Sequence, residues 1–160
     1  MGGKLMSQRT TPFKTSPTNK NIGEIHTEPE RHMDMPYAPA MRIESPGDLL
    51  YLSGCTPSPL YHSHPHIFSE HDHPVGIEDQ TRLAMQSVIA LLDHEGLTLT
   101  DVVKVTKYLT DMRDLEAMAK TMSEFFGDWK PASTTVCVNQ LSTPGARLEL
   151  DVIAVYPKDE

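Results

Sequence analysis

The strongest structural constraint in this 160-residue chain is the alternating sequence LELDVIAV at residues 148–155. On a β-strand its apolar residues share one face and pack on a core, while Glu149 and Asp151 point to the opposite face. The rise per residue of a strand separates these two carboxylates by about 7 Å. Two carboxylates on the face away from the core predict a polar cleft, which is a suitable place for catalysis.

Hydrophobic periodicity predicts two helices that alternate with strands. Residues 77–95 carry apolar side chains at the three-and-four spacing of one buried stripe, and Gly96 ends this helix. A second stripe runs through residues 115–126. The turn Ser45-Pro46-Gly47-Asp48 predicts a hairpin between the first two strands, and a Pro-Gly turn joins the last two. The predicted strands cover residues 41–44, 49–53, 102–110 and two segments within 130–156.

The predicted order is therefore β-β-α-β-α-β-β, in which each helix connects one strand to the next by a right-handed crossover. This order indicates an α+β fold with a mixed β-sheet and both helices packed on one face. The uncovered face includes Ile153 and Val155 beside the two carboxylates. Because a partly apolar open face favours burial against another copy, we expect a homo-oligomer.

Two regions follow from composition. Residues 1–35 are polar, with little apolar periodicity, and are predicted to form a mobile N-terminal arm. An alternative is that this arm wraps a neighbouring subunit. Residues 36–157 are predicted to form a single domain.

Charge and composition exclude several classes of partner. The net charge of −8 argues against nucleic acid and against an anionic membrane, and no apolar run reaches the length of a membrane span. The chain has only two cysteines and no visible export signal. These features predict a protein of the cytoplasm whose cysteines stay reduced.

A histidine-rich loop lies between the second strand and the first helix. His62, His64 and His66 alternate, so an extended backbone would direct all three the same way. Such a set is a candidate site for zinc, nickel or copper. Pro65 interrupts the run, however, and we expect no metal. We instead predict that His64 and His66 bind an anionic part of a substrate.

Several motifs now combine in one order along the chain. They are MPYAPAM at 35–41, YLSG at 51–54, LTLTDVVKVTKYLTDMRDL at 97–115, Pro131-Ala132, and LELDVIAV at 148–155. Together they resemble the Rid/YjgF family of enamine/imine deaminases, and most closely its aminomuconate-deaminase-like branch. The resemblance implies the chorismate-mutase-like, YjgF-like fold, a homotrimer, and clefts at the subunit interfaces. It also implies hydrolysis of a small enamine or imine to a carbonyl compound and ammonia, without a cofactor.

The resemblance also suggests roles for individual residues. The acid that orients water in the family falls on Asp151, and the family's carboxylate-binding Arg is replaced by Ser133. We expect Asp151, Ser133 and Glu149 to be the catalytic residues. The predicted substrate-binding residues are Tyr37, Ser53, Gly54, Cys55 and Thr135, with His64 and His66.

Simpler roles exist for the same side chains. One carboxylate of the pair Glu149 and Asp151 can form a salt bridge with Arg147 or with a lysine of a neighbouring subunit. Cys55 can be a small buried hydrophobic residue rather than a reactive thiol. The run of hydroxyls at Ser133 can reflect β propensity alone.

The sequence thus predicts a hydrolytic deaminase whose substrate is a small polar or anionic metabolite. A non-catalytic metabolite-binding or regulatory member of the family is the alternative, because Ser133 lacks the charge and the bidentate geometry of Arg. A metalloprotein built on the histidine-rich loop is a third hypothesis. A ribonuclease fits poorly with the acidic charge.

Overall fold

The structure is a computed structural model, and it describes residues 11–44 and 47–158. It contains two α-helices, α1 (Ile77–His94) and α2 (Leu115–Phe126), and seven strands. The strands are β1 (Lys14–Thr15), β2 (Ile22–Ile25), β3 (Ala40–Ile43), β4 (Leu49–Tyr51), β5 (Val102–Leu109), β6 (Ala132–Cys137) and β7 (Leu148–Val155). Short 3-10 helices lie at Pro29–Asp34, Phe68–His71, Leu99–Asp101 and Met112–Asp114.

The main sheet has four strands in the order β4-β7-β5-β6. β5 and β6 are parallel because α2 crosses between them, whereas β7 is antiparallel to both β4 and β5. The last two strands were predicted to form one ribbon. This prediction is wrong, because β5 lies between them and takes the hydrogen bonds of both.

Both helices cover one face of the main sheet, as the sequence predicts. The apolar stripe of α1 and the inner side chains of α2 pack on Leu148, Leu150, Val152 and Ala154 of β7. These four β7 residues are fully buried, which confirms the alternation seen in the sequence. Glu149 and Asp151 therefore point to the other face, called the open face below.

A second, three-stranded sheet has the order β1-β2-β3. β3 pairs with β2 and not with β4, so the predicted hairpin between residues 41–44 and 49–53 is wrong. Ser45 and Pro46 of its predicted turn lie outside the described residues. The backbone at Asp48 lies beside the end of β7, where the N–H of Tyr156 donates to the carbonyl of Asp48 at 2.9 Å.

The two sheets share a small apolar core of their own, at one end of the open face. Ile22 of β2 packs with Val103, Trp129 and Val155, and all four side chains are buried. The indole N–H of Trp129 also donates to the carbonyl of Val102 at 2.9 Å. The three-stranded sheet is thereby attached to the main sheet by apolar contacts.

These contacts bear on the predicted N-terminal arm. The sequence indicated no strand in residues 1–35, but β1 and β2 lie there, and Glu24 is buried and accepts a hydrogen bond from the Lys130 N–H at 3.1 Å. Residues 1–10 lie outside the described part. The boundary at residue 36 and the mobility of the arm stay predictions. None of the helices in the described ranges is long and apolar enough to cross a membrane.

Candidate functional site

The two carboxylates predicted to be catalytic lie side by side on the open face of β7. Asp151 pairs with Thr106 of β5, and Glu149 pairs with Tyr108. Both carboxylates are half-buried. Arg147, the alternative partner within the chain, forms its salt bridge with Asp114 at 2.6 Å. Arg147 is therefore engaged elsewhere, and the two carboxylates face the open side of the sheet.

Glu149 holds its proton more tightly than an ordinary glutamate does. Partial burial raises its pKa above the ordinary value, and the negative charge of Asp151 raises it further. A pair of carboxyls of this kind can divide the roles of proton donor and proton acceptor. The pair can thus serve in general acid–base chemistry.

Gly54 lies directly against Glu149. A Cβ atom at Gly54 would overlap Oε1 of Glu149, so the carboxylate occupies the space that any other residue would fill. Ser53 and Gly54 are both exposed. The sequence predicted this segment to hold substrate, and the structure places it beside the carboxylate pair.

Cys55 is a poor candidate for a nucleophile. Its side chain is 1% exposed, and its backbone N–H and C=O both pair with Leu150. Burial raises the pKa of its thiol to about 11, and the charges of Glu149 and Asp151 add to this effect. The thiol is therefore protonated at neutral pH. Any role in binding substrate stays a prediction.

Glu149 separates two cavities. The larger, called the main cavity, has a volume of about 580 Å³ and is lined by Gly54, His64, His66 and the end of α1. The smaller, called the β7 cavity, measures about 340 Å³ and includes Asp151 and Tyr108 in its wall. Glu149 and Gly54 line both. Sequence analysis did not single out Tyr108, because its proximity to Glu149 depends on the pairing of β5 with β7.

Ser133 and Thr135 do not lie with the carboxylates. Ser133 pairs with Val105 on β5, so it faces the helix side of the sheet, and Thr135 follows it on the same side. Ser133 lines a small cavity of about 70 Å³, called the Ser133 cavity, to which Pro36 also belongs. Tyr37 is the residue after Pro36. One chain therefore divides the predicted site residues between two opposite faces of its sheet.

Lys107 is a candidate that sequence analysis missed. It lies opposite Thr135 in the β5–β6 ladder and lines the Ser133 cavity. Burial lowers the pKa of its ammonium group, and the like charge of Lys104 lowers it further. Lys107 thus supplies a half-buried positive charge beside Ser133. The parallel pairing that brings these residues together is not visible in local sequence.

The histidine-rich loop folds into a compact cluster at the main cavity. The ring centres of His62, His64 and His66 lie 4.7–5.1 Å from one another, and His71 lies 4.7 Å from His66. Partial burial and the neighbouring imidazoles lower the pKa of His66. This shift disfavours the cationic form that anion binding needs, so the predicted role of His64 and His66 toward an anion stays a prediction.

Replacing Glu149 by Gln should change the pH dependence of stability. Because the folded-state pKa of Glu149 is raised, its ionisation destabilises the fold as pH rises from the ordinary value of 4.5 through the folded value. The variant E149Q lacks this effect. The melting temperature of E149Q minus that of the wild type should increase as pH rises from about pH 4 to about pH 8.

The matched control is E116Q, which changes an exposed glutamate on α2. Its melting curve should follow that of the wild type at every pH. Parallel curves for E149Q and the wild type would contradict a raised pKa of Glu149.

With this geometry established, comparison with known proteins identifies the class of fold. Residues 29–156 match the protein-family model described as Endoribonuclease L-PSP. The crystal structure of TdcF from Escherichia coli with bound serine has a TM-score of 0.58 and 26% sequence identity, and the alignment covers 69% of this chain and 82% of that one. The fold is thus a YjgF-type α+β fold.

Curated relatives agree with this result. A RutC family protein of Pyrococcus horikoshii is 41% identical over 78 residues, which make up 49% of this chain and 61% of that protein. A RutC family protein of Saccharolobus solfataricus is 31% identical over 121 residues, covering 74% of this chain and 86% of that protein. The chain belongs to the Endoribonuclease L-PSP family, which includes the Rid, YjgF and RutC proteins.

Proposed function

We propose that this protein is a hydrolytic deaminase that converts a small enamine or imine into a carbonyl compound and ammonia. The relative from Escherichia coli, 31% identical over 84 residues, is named "Putative reactive intermediate deaminase TdcF". The observation that carries the proposal is the carboxyl pair on the open face of β7, in which partial burial and then the charge of Asp151 raise the pKa of Glu149. A carboxyl with a raised pKa beside a second carboxyl suits a reaction that needs one acid and one base.

The proposed reaction uses water and these two groups. Asp151 accepts a proton from a water molecule while the oxygen of that water attacks the carbon of the C=N bond. Glu149 donates its proton to the nitrogen. In the resulting carbinolamine, the protonated Asp151 gives its proton to the amino nitrogen and the C–N bond breaks to release ammonia. The ionised Glu149 takes the hydroxyl proton as the C=O bond forms, so both carboxyls return to their starting states. An enamine first takes a proton on carbon to become the imine. The reaction involves no oxidation or reduction, and water is its only co-substrate.

We propose that the complete site forms between subunits of a homotrimer. In one chain Asp151 lies on the open face, whereas Ser133 and Lys107 lie on the helix side. These groups act on one substrate only if they come from two chains. The open face also carries apolar surface, since Tyr51 is 67% exposed and Val136 is 40% exposed, and burial of this surface would stabilise an oligomer.

The substrate would be small and would carry an anionic group. Lys107 supplies a positive charge in the Ser133 cavity, and the described part of the chain gives it no carboxylate partner. The cytoplasm is the proposed location, supported by the free thiols of Cys55 and Cys137. The chain's charge of −8 gives no support to a ribonuclease, despite the description of the family.

Replacing Lys107 by Met tests the anion-binding part of the proposal. The loss of a charged hydrogen bond should raise KM for an imine that carries a carboxylate by about ten- to a hundredfold. KM for a neutral imine should stay unchanged. Ammonia release from imines generated in solution provides the measurement, and light scattering of the same samples reports whether the protein is a trimer.

Two controls separate charge from packing. K107R keeps the charge and should retain most of the affinity, and K120M changes an exposed lysine of α2 and should have no effect. Equal losses of affinity for charged and neutral imines would contradict anion binding by Lys107. A wild-type protein that binds such compounds without releasing ammonia would instead favour the non-catalytic alternative.

A further inference from the structure

Five histidines of the loop between β4 and α1 form one cluster, and the proposed reaction uses none of them as acid or base. They are His62, His64, His66, His71 and His73. The cluster includes His71, which is buried at 6% exposure at the end of a 3-10 helix. It also borders the main cavity through His62, His64 and His66.

Three members of this cluster converge on one point. Ligand nitrogens of His62, His66 and His71 all lie within 4.8 Å of one another. Nδ1 of His66 and Nε2 of His71 are 2.8 Å apart. Two nitrogens bound to a tetrahedral zinc ion at about 2.0–2.1 Å each lie roughly 3.3 Å apart, so the His66 and His71 nitrogens need to separate by about half an ångström and His62 needs to approach them by up to about 1.5 Å.

Two of these rings are held from outside the cluster through Nδ1. Nδ1–H of His62 donates to the carbonyl of Pro59 at 3.0 Å, and a carbonyl requires the proton on that nitrogen. Nδ1 of His71 contacts the buried hydroxyl of Ser58 at 2.7 Å. Nε2 is thus the ligand atom of both rings, once an ion replaces the hydrogen bond between His71 and His66, and an outer partner on the other nitrogen is the arrangement that orients histidines at metal sites.

Further contacts hold the loop in this shape. The hydroxyl of Ser58 also lies 3.1 Å from Nε2 of His73. The carboxylate of Glu70 accepts hydrogen bonds from the backbone N–H of Ser63 at 2.6 Å and from its hydroxyl at 3.0 Å. Glu70 thus ties the segment that carries His62 to the segment that carries His71. The side chains of Ser58 and Glu70 therefore help to set the positions of the three imidazole rings.

Neutral imidazole is the form that binds metal. At present the His66 and His71 nitrogens share a proton in their hydrogen bond. An ion would replace this proton, and His66 would keep a proton on Nε2.

We propose that His62, His66 and His71 bind one divalent transition-metal ion, of which zinc is the probe of choice, and that the ion has an open coordination position toward the main cavity. Imidazole nitrogens suit zinc, copper and nickel. Three protein ligands with a free fourth position form the type of site that holds an exchangeable water or an anionic ligand. The site does not depend on the proposed deaminase activity, because metal binding is measured directly.

The test uses full-length protein without an affinity tag, freed of metal and titrated with Zn²⁺ in a calorimeter. We expect one ion per chain, and we expect H66A and H71A each to weaken binding by at least about tenfold. The variant S58A should weaken it as well, because the ring of His71 loses its hydrogen-bond partner. Binding should also weaken as pH falls, because protons compete for the imidazoles.

The matched control is H94A, which removes an exposed histidine of the same cavity wall outside the cluster. H94A should bind zinc as the wild type does. Circular dichroism identifies variants that fail to fold, and for these the comparison of S58A with the wild type still decides the question. Failure of the wild type to bind Zn²⁺, or equal binding by H66A, H71A and the wild type, would overturn the proposal. Loss of metal binding with ammonia release intact would leave the deaminase proposal standing.

Discussion

Replacement of Asp151 by Asn should lower kcat/KM for imine hydrolysis by about 10²–10⁴-fold, which is the contribution expected of a general base. Asn is close in size to Asp but cannot accept the proton of the attacking water. Because Asp151 is half-buried on the open face and takes no part in the apolar core, the fold should survive the change. Initial rates of ammonia release, with the melting temperature measured on the same preparations, provide the test.

The control is D128N, which makes the same chemical change at an exposed aspartate. Its rates should equal those of the wild type. The pKa of Glu149 gives an independent check, because removal of the Asp151 charge should lower it and shift the alkaline limb of the pH profile to lower pH. Undiminished turnover by D151N would exclude Asp151 as the base and would direct attention to Glu149 alone.

The parts of the fold that the sequence predicts correctly are those with a repeating local signal. Residues 148–155 alternate strictly, and β7 is buried on the predicted face. α1 follows its three-and-four stripe and ends where Gly96 adopts a φ of 70°, a conformation that favours glycine. Such patterns are set by the burial of one face and need no knowledge of distant contacts.

The errors concern pairing between distant strands. β3 has the composition of a strand, but nothing local indicates that β2 rather than β4 is its partner. β1 has two residues, which is too short for periodicity. Both strands pair with β2, which is itself held in place by the contact of Ile22 with Trp129, a residue far away in sequence.

The residues of the candidate sites likewise fall into those that local sequence predicts and those that depend on distant contacts. Glu149 and Asp151 were predicted because their proximity follows from the geometry of one strand. Lys107 was missed because it approaches Ser133 only through the parallel ladder of β5 and β6. His71 was likewise left out of the candidate metal ligands, which were His62, His64 and His66, because the loop turns back on itself before the 3-10 helix. The prediction assumed an extended backbone, and the alternation of histidines does not reveal that the chain turns here.

The second large effect concerns Trp129 and the attachment of the three-stranded sheet. Trp129 is 3% exposed and packs with Ile22, Val103 and Val155. Replacement by Ala should lower the free energy of unfolding by about 3–5 kcal/mol, because it leaves a large cavity between the sheets. It also removes the N–H donor to the buried carbonyl of Val102. Urea denaturation followed by far-UV circular dichroism provides the measurement.

The variant W129F separates the two contributions. Phe restores most of the buried apolar surface but not the hydrogen bond, so its loss should be smaller, about 1–3 kcal/mol for the unsatisfied carbonyl. W129A should also make residues 11–35 more accessible to protease, because Ile22 loses its main contact across the sheets. If W129A cost less than about 1 kcal/mol, the N-terminal strands would contribute little to the folded domain, and the prediction of a mobile arm would gain support.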